Sequence, residues 1–441
     1  MADQGLPSSR MSADGEKAAS VRVESAERSE SGESAPVQMQ DDVPDGGTVA
    51  WLQVLGSYFV FMDTWGIVNS YGAFQRIYED TLPNSPSTIA WAGSIQGFTL
   101  LLVGCLSGPI YDRGYFHALV VPGAFLTFFG MLMTSFTTKY YQILLAQGIC
   151  MGIGMGLIYI PCVAVLASYF RRRRAFALGI AAAGSGSGSV IFPTILYQLQ
   201  PAVGFAWATR AIALIILVTL LLMLAIVRRR AIPTPTERRK LFDKTAIRDV
   251  PYVLFTVALF LGFMGSYVPF FYISPYTSAR SSASTTLAKY MVPILNAASI
   301  PGRIFPNIAA DYIGCLNTMA PCVLACAILI LTWTAIQGVG GLIAFTLLYG
   351  FFTGTFVSIT NAALVSLTDD PRIVGTRLGM SFTCAGFGIL IGNPVAGALI
   401  NLETGSFVKM QIFGGVLVMA SAILFTAARV AKVGVAFKAK I

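Results

Sequence analysis

The chain of 441 residues is 55% hydrophobic and only 12% charged, with a formal net charge of +9. A water-soluble domain carries roughly a quarter charged residues. The composition therefore excludes a secreted disulfide scaffold, a nucleic-acid module and an ordinary soluble enzyme, and it points to lipid as the main solvent.

Residues 1–45 hold ten acidic and four basic residues, which leaves a net +15 for residues 46–441. This first segment is rich in Ser, Ala, Glu and Asp and poor in large apolar side chains. It buries too little surface to offset chain entropy, so a disordered acidic tail is expected. It lacks the basic start and apolar stretch of a secretory signal, which favours a cytoplasmic N-terminus.

Twelve apolar runs long enough to cross a bilayer follow, at about 50–74, 88–110, 117–136, 141–168, 175–198, 207–227, 251–274, 286–310, 317–336, 341–366, 377–400 and 408–429. Barrel strands would be half as long and alternate in polarity. The expectation is an all-α membrane protein with twelve transmembrane helices. If the N-terminus is cytoplasmic, 19 Lys and Arg fall in cytoplasmic segments and six on the other side. That bias places both termini in the cytoplasm. Because the basic residues sit between apolar runs, the partner they imply is the bilayer, with no nucleic acid. The basic segment 229–250 separates an N-terminal bundle, 46–228, from a C-terminal bundle, 251–430. A short cytoplasmic tail, 431–441, follows.

The seven cysteines are scattered through or beside apolar runs, and His117 is the single histidine. This set offers no metal site, no catalytic dyad and no cofactor motif.

The two halves repeat. Asp112 and Asp311 lie 199 positions apart, as do Pro122 and Pro321. Gly179 and Gly379, Gly186 and Gly386, and Gly188 and Gly388 lie 200 apart. Six plus six helices as parallel repeats resembles the layout of a major-facilitator transporter, in which substrate binds between two pseudo-symmetric six-helix bundles.

Two motifs sharpen that likeness. Gly108-Pro109-Ile110-Tyr111-Asp112-Arg113-Gly114 resembles the superfamily's loop motif, echoed by Ala309-Ala310-Asp311-Tyr312-Ile313-Gly314. An acid placed at a helix N-terminus is stabilised by the dipole. Asp112, Arg113 and Asp311, together with Arg173 of the signature described next, are thus candidate gating residues. Residues 169–188, YFRRRRAFALGIAAAGSGSG, resemble the signature of the monocarboxylate porter family. Asp45-Gly46-Gly47-Thr48-Val49-Ala50-Trp51 resembles that family's other signature. Within the first of these, the arginines, Arg173 among them, suit anionic headgroups, and the small residues let a second helix approach.

Charges within the runs are few, and each needs a reason. The resemblance assigns Arg303 to the carboxylate of the substrate, a task that suits its two-pronged guanidinium. The familiar proton-coupling acid one turn earlier is Ser299 here, and the familiar Lys of the first helix is Asn69. Neither titrates in the physiological range. Asp63 remains as a proton carrier, a partner for Arg303 or a packing group. The cavity-lining helices of such a fold also offer Asn69, Tyr71, Tyr159, Tyr267, Tyr272 and Asn361 as substrate contacts.

The resemblance implies a secondary transporter in the plasma membrane that moves a small organic anion or a secondary metabolite by alternating access. Protons are a candidate co-substrate, and no enzymatic activity is expected. A transport-fold receptor and an integral-membrane enzyme are the rival classes.

Overall fold

The computed structural model describes residues 1–2, 45–170, 173–228, 243–280, 283–368, 373–400 and 406–434. Nearly all of the expected acidic tail, most of the expected linker and residues 435–441 lie outside the described residues. Residues 44–441 form one compact unit.

Among the described residues, twelve crossings are built from fourteen helices. The first is α1 (Thr48–Asp63) followed by α2 (Trp65–Thr81), and the next two are α3 (Pro86–Asp112) and α4 (Phe116–Thr134). The fourth runs from α5 (Tyr140–Ile143) through a π-helical segment (Leu144–Cys150) into α6 (Met151–Tyr169). The fifth and sixth are continuous in α7 (Arg174–Ile226), which turns at Gly204. After a short 3-10 helix (Lys244–Arg248), the seventh crossing is α8 (Val250–Ser266) and α9 (Val268–Arg280). The remaining five are α10 (Thr285–Ile313), α11 (Cys315–Trp333), α12 (Val339–Leu367), α13 (Val374–Ala398) and α14 (Val408–Val433).

Large apolar side chains such as Phe125, Leu214, Val218, Leu221, Val416 and Ile423 are exposed on the outside of the bundle. In water that surface would be a liability. Among the described residues, nine helical stretches are long and apolar enough to span a membrane, α7 counting as one. The two crossings not among them are the first, divided at Thr64, and the eighth, which carries Arg303. Those two crossings hold the charges that the sequence marks out.

The half-repeat is carried into backbone detail. Ser85 and Ser284, 199 apart, each cap a helix by accepting a hydrogen bond from the backbone N–H three residues on. Gly114 and Gly314, 200 apart, both adopt positive φ, 99° and 103°, where the chain leaves α3 and α10. A residue with a Cβ would be strained there.

The same pairing recurs in packing. A Cβ on Gly188 would strike the carbonyl oxygen of Met62 in α1, and one on Gly388 would strike that of Phe260 in α8. Gly186 faces α10, and Gly386 faces α3. Each half thus uses one glycine-rich helix, α7 or α13, to grip its own first helix and a helix of the opposite half. The two seams between halves are α3 against α13 and the first part of α7 against α10. The N-terminal bundle comprises α1 to α7 and the C-terminal bundle α8 to α14.

Candidate functional site

The centre of the molecule lies between the two bundles. The first crossing breaks where Thr64 leaves helical geometry (φ −103°, ψ −84°), and Trp65 starts the new helix. The seventh crossing is interrupted at Tyr267. At these two breaks the bundles exchange aromatic contacts. The Trp65 ring centroid lies 5.9 Å from Tyr159, 6.3 Å from Phe263 and 6.5 Å from Tyr267. Phe61 meets Tyr159 at 5.3 Å, and Phe356 meets Phe263 at 5.2 Å.

Arg303 enters this layer from α10. It is 1% exposed. Its Nε donates to Ser299 Oγ and an Nη to the Ala182 carbonyl oxygen of α7, both at a long 3.4 Å. The second bond crosses the seam. Tyr159 and Tyr267, one from each bundle, lie close enough to interact electrostatically with the guanidinium. Among the described residues, no carboxylate comes within salt-bridge distance of it. A guanidinium carries five N–H donors, and here two weak bonds and no counter-charge serve it. A buried cation in that state is costly unless an anion joins it. Its backbone is fixed in turn: Asn307 donates to the Arg303 carbonyl oxygen at 2.5 Å and to Ser358 Oγ at 2.7 Å.

The sequence-derived candidates divide into those gathered here and those placed elsewhere. Tyr159 and Tyr267 belong to the aromatic layer. Asn361 of α12 is near-buried and interacts with Tyr159. Asn69 lies one turn beyond Trp65 on the same helix face, buried, with its Oδ1 unpartnered.

Tyr71 and Tyr272 lie outside the central layer. The Tyr71 hydroxyl donates to the Ile89 carbonyl oxygen at 2.6 Å, and that of Tyr272 to the Asn393 carbonyl oxygen at 2.8 Å. A helix turns about 100° per residue, so Tyr272, five positions past Tyr267, points well away from it. Tyr71 instead helps close the end of the bundle remote from Thr48. There its ring meets Phe271 at 5.3 Å, and Arg76 donates to Ser274 Oγ at 2.9 Å. Ser87 adds a bond to the Pro394 carbonyl oxygen at 2.9 Å.

Asp63 is no partner of Arg303. On the other side of the break at Thr64 from Trp65, it faces into its own bundle, where Thr219 of α7 meets it. Its Oδ2 accepts from Thr219 Oγ1 at 2.7 Å, and its Oδ1 is buried without a hydrogen-bond partner. Among the gating candidates, Asp311 accepts from the Phe176 backbone N–H at 3.3 Å, at the start of α7. Asp112 closes α3, and Arg113 follows it, exposed. Arg173 precedes α7 and is also exposed.

Sequence reasoning passed over Trp65, Phe61, Phe263 and Phe356, because an aromatic in an apolar run looks the same whether it faces lipid or the centre. It counted Arg377 only among the 19 basic residues of the cytoplasmic segments. Arg377 is 6% exposed, bonded through Nε to Asp243 at 3.1 Å and through an Nη to Asp249 at 2.5 Å.

Comparison with known proteins bears on this architecture. The chain is 44% identical over 375 residues to the MFS-type transporter dbaD of Emericella nidulans, covering 84% of each chain. It is 38% identical over 384 residues to the aspyridones efflux protein apdF of the same organism, covering 86% of this chain and 78% of that one. The crystal structure of the transporter FucP in its outward conformation shares the fold, with a TM-score of 0.63 at 16% identity, covering 86% of this chain and 98% of that one. Transporters of this kind are multi-pass membrane proteins that carry small molecules and are not enzymes. The Major Facilitator Superfamily model matches residues 54–339, more than half of the sequence, and with these relatives it establishes that the chain belongs to the Major Facilitator Superfamily.

Proposed function

We propose that the protein exports an acidic small molecule, a secondary metabolite, by alternating access, and that it stands in the monocarboxylate porter branch of its superfamily. The observation that carries this reading is Arg303: a buried guanidinium at the seam of the halves, flanked by Tyr159 and Tyr267 and, among the described residues, without a carboxylate in salt-bridge reach. An anionic group on the cargo supplies the missing charge. The direction, outward, is supported by the relative described as an aspyridones efflux protein.

The two bundles, 46–228 and 251–430, act as the rocking bodies, joined by the basic linker 229–250. With both termini in the cytoplasm of a plasma-membrane protein, the end closed by Tyr71, Phe271, Arg76 and Ser274 faces outward. Interhelical hydrogen bonds in membranes average about 0.6 kcal/mol, so the few polar bonds there hold that end shut without locking it. Asp63, beside the break in the first crossing, is the proton site if export is driven by a proton gradient.

The test is the profile of compounds secreted by a strain lacking the gene, restored with wild type or with Arg303→Ala. An acidic compound should vanish from the medium in the null strain and return only with wild type. Recovery by Arg303→Ala at equal membrane abundance would overturn the anchor role.

A further inference from the structure

We infer that Trp65 is a hydrogen-bond donor to the cargo, and that the cargo is a flat ring acid bearing a carbonyl oxygen on the ring. This rests on the reading that Arg303 binds the anionic group.

Trp65 is 1% exposed; its Nε1–H lies near the Tyr159 hydroxyl but makes no well-formed hydrogen bond to it or to any other described group. A tryptophan buried in a core normally finds an acceptor for that group. Packing alone would be served by phenylalanine, as it is at Phe61, Phe263 and Phe356 in the same layer. One turn further along, Asn69 leaves its Oδ1 bare on the same face of α2. Trp333 also has an unpartnered Nε1, but its ring lies against Tyr276 and Phe345 inside the C-terminal bundle. Of the two bare indoles, Trp65 is the one beside Tyr159 and Tyr267, the tyrosines that flank Arg303.

The shape of the site selects the rest of the ligand. Trp65 and Tyr267 come from opposite bundles and rest against each other, centroids 6.5 Å apart. When the halves part at this layer, that contact opens between two aromatic faces. A flat ring replaces it with stacking on either side. The guanidinium fork holds the ionised oxygen, a carboxylate or an enolate, and the indole N–H meets a carbonyl oxygen on the same ring. A buried donor left without its acceptor penalises ligands that lack one, so Trp65 discriminates among ring acids while Arg303 binds them all.

Equilibrium binding to the purified full-length protein in lipid nanodiscs tests this with three probes. They are 4-hydroxy-6-methyl-2-pyrone (ring, ionised enol, ring carbonyl), benzoate (ring and acid alone) and lactate (acid without a ring). Wild type should bind the pyrone about tenfold more tightly than benzoate, with lactate weakest. Trp65→Phe keeps the ring and removes the donor. It should weaken pyrone binding about tenfold and shift benzoate by less than twofold, which also shows the variant to be folded.

Wild type that binds benzoate as tightly as the pyrone overturns the inference, whatever the variant does. So does a Trp65→Phe protein that retains the pyrone preference. Arg303→Ala separates the two claims. If it binds neither ring acid, the anchor stands, and the Trp65 result alone decides the donor. If it binds both as wild type does, the anchor falls, and the pyrone preference still reports on Trp65.

Discussion

The Asp311 carboxylate, at the end of α10 in the C-terminal bundle, accepts a hydrogen bond from the Phe176 backbone N–H, at the start of α7 in the N-terminal bundle. The first N–H groups of a helix have no partner within the helix and carry its positive pole. One carboxylate therefore satisfies a bare donor and a dipole at once, across the seam, at the end where the chain enters from its N-terminal side. A few residues further in, Gly179 lets α7 lie directly against the Arg303 carbonyl and Asn307. Asp311 and Arg303 thus sit on one face of α10.

Neutralising that tie should loosen this end of the seam. Charge at a helix N-terminus is worth roughly 0.3–1 kcal/mol, a factor of about two to five in a two-state population. Asp311→Asn is expected to shift the distance distribution between spin labels at Tyr115 and Tyr312 towards longer values. Both sites are well exposed, one in each bundle. An unchanged distribution would mean that packing alone sets the equilibrium.

The repeat, and Arg303 as a candidate, were legible in the sequence because each breaks a strong background. A lone Arg303 in an apolar run stands out, and Gly and Pro pairs at one offset stand out as a set. What the sequence hid depends on helix phase and on distant partners. Tyr71 and Tyr272 lie on the right helices but point off the central layer, so membership of a lining helix was too coarse a criterion. Asp63 and Trp65 are two positions apart, on either side of the break at Thr64, and meet different partners, Thr219 for one and the central aromatics for the other. Arg377 meets acids 134 and 128 positions away, which no local pattern announces.

The glycine pairing should appear as paired sensitivity. Gly188→Ala and Gly388→Ala each push a methyl into a backbone carbonyl of the adjoining helix. Overpacking of this kind costs about 1–3 kcal/mol. Gly108 has nothing within 4 Å of where its Cβ would stand, so Gly108→Ala should be neutral or slightly stabilising. Thermal midpoints of the detergent-solubilised variants, followed by size-exclusion chromatography, should fall for the first two alone. Equal midpoints for all three would contradict the close approach.

Asp63→Asn preserves an acceptor for Thr219 and removes the titratable group. If Asp63 carries the proton, the variant should lose uphill cargo movement driven by a pH gradient in proteoliposomes. Exchange of labelled for unlabelled cargo should persist. Gradient-driven movement at the wild-type rate would place coupling elsewhere. Thr219→Val leaves both carboxylate oxygens without a hydrogen bond and should destabilise the fold by about 1–3 kcal/mol.

The Arg377 clasp gives a pH test outside the lipid. Burial pushes the Asp243 carboxyl up, but bonds from Thr245 and Arg377 outweigh it and hold the group below the ordinary carboxylate range. A depressed acid adds its stability in full above its unfolded value of about 3.9 and loses it as pH falls through the lower folded value. Asp243→Asn should therefore lower the melting midpoint by a constant amount between about pH 5 and 8, and that difference should shrink below about pH 4. Arg377→Met removes one of the bonds that hold the Asp243 carboxyl low, so the variant has less acid-sensitive stability to lose, and its midpoint should fall less steeply than that of wild type below about pH 4. An equally steep decline in both proteins would show that Arg377 does not hold the Asp243 carboxyl low.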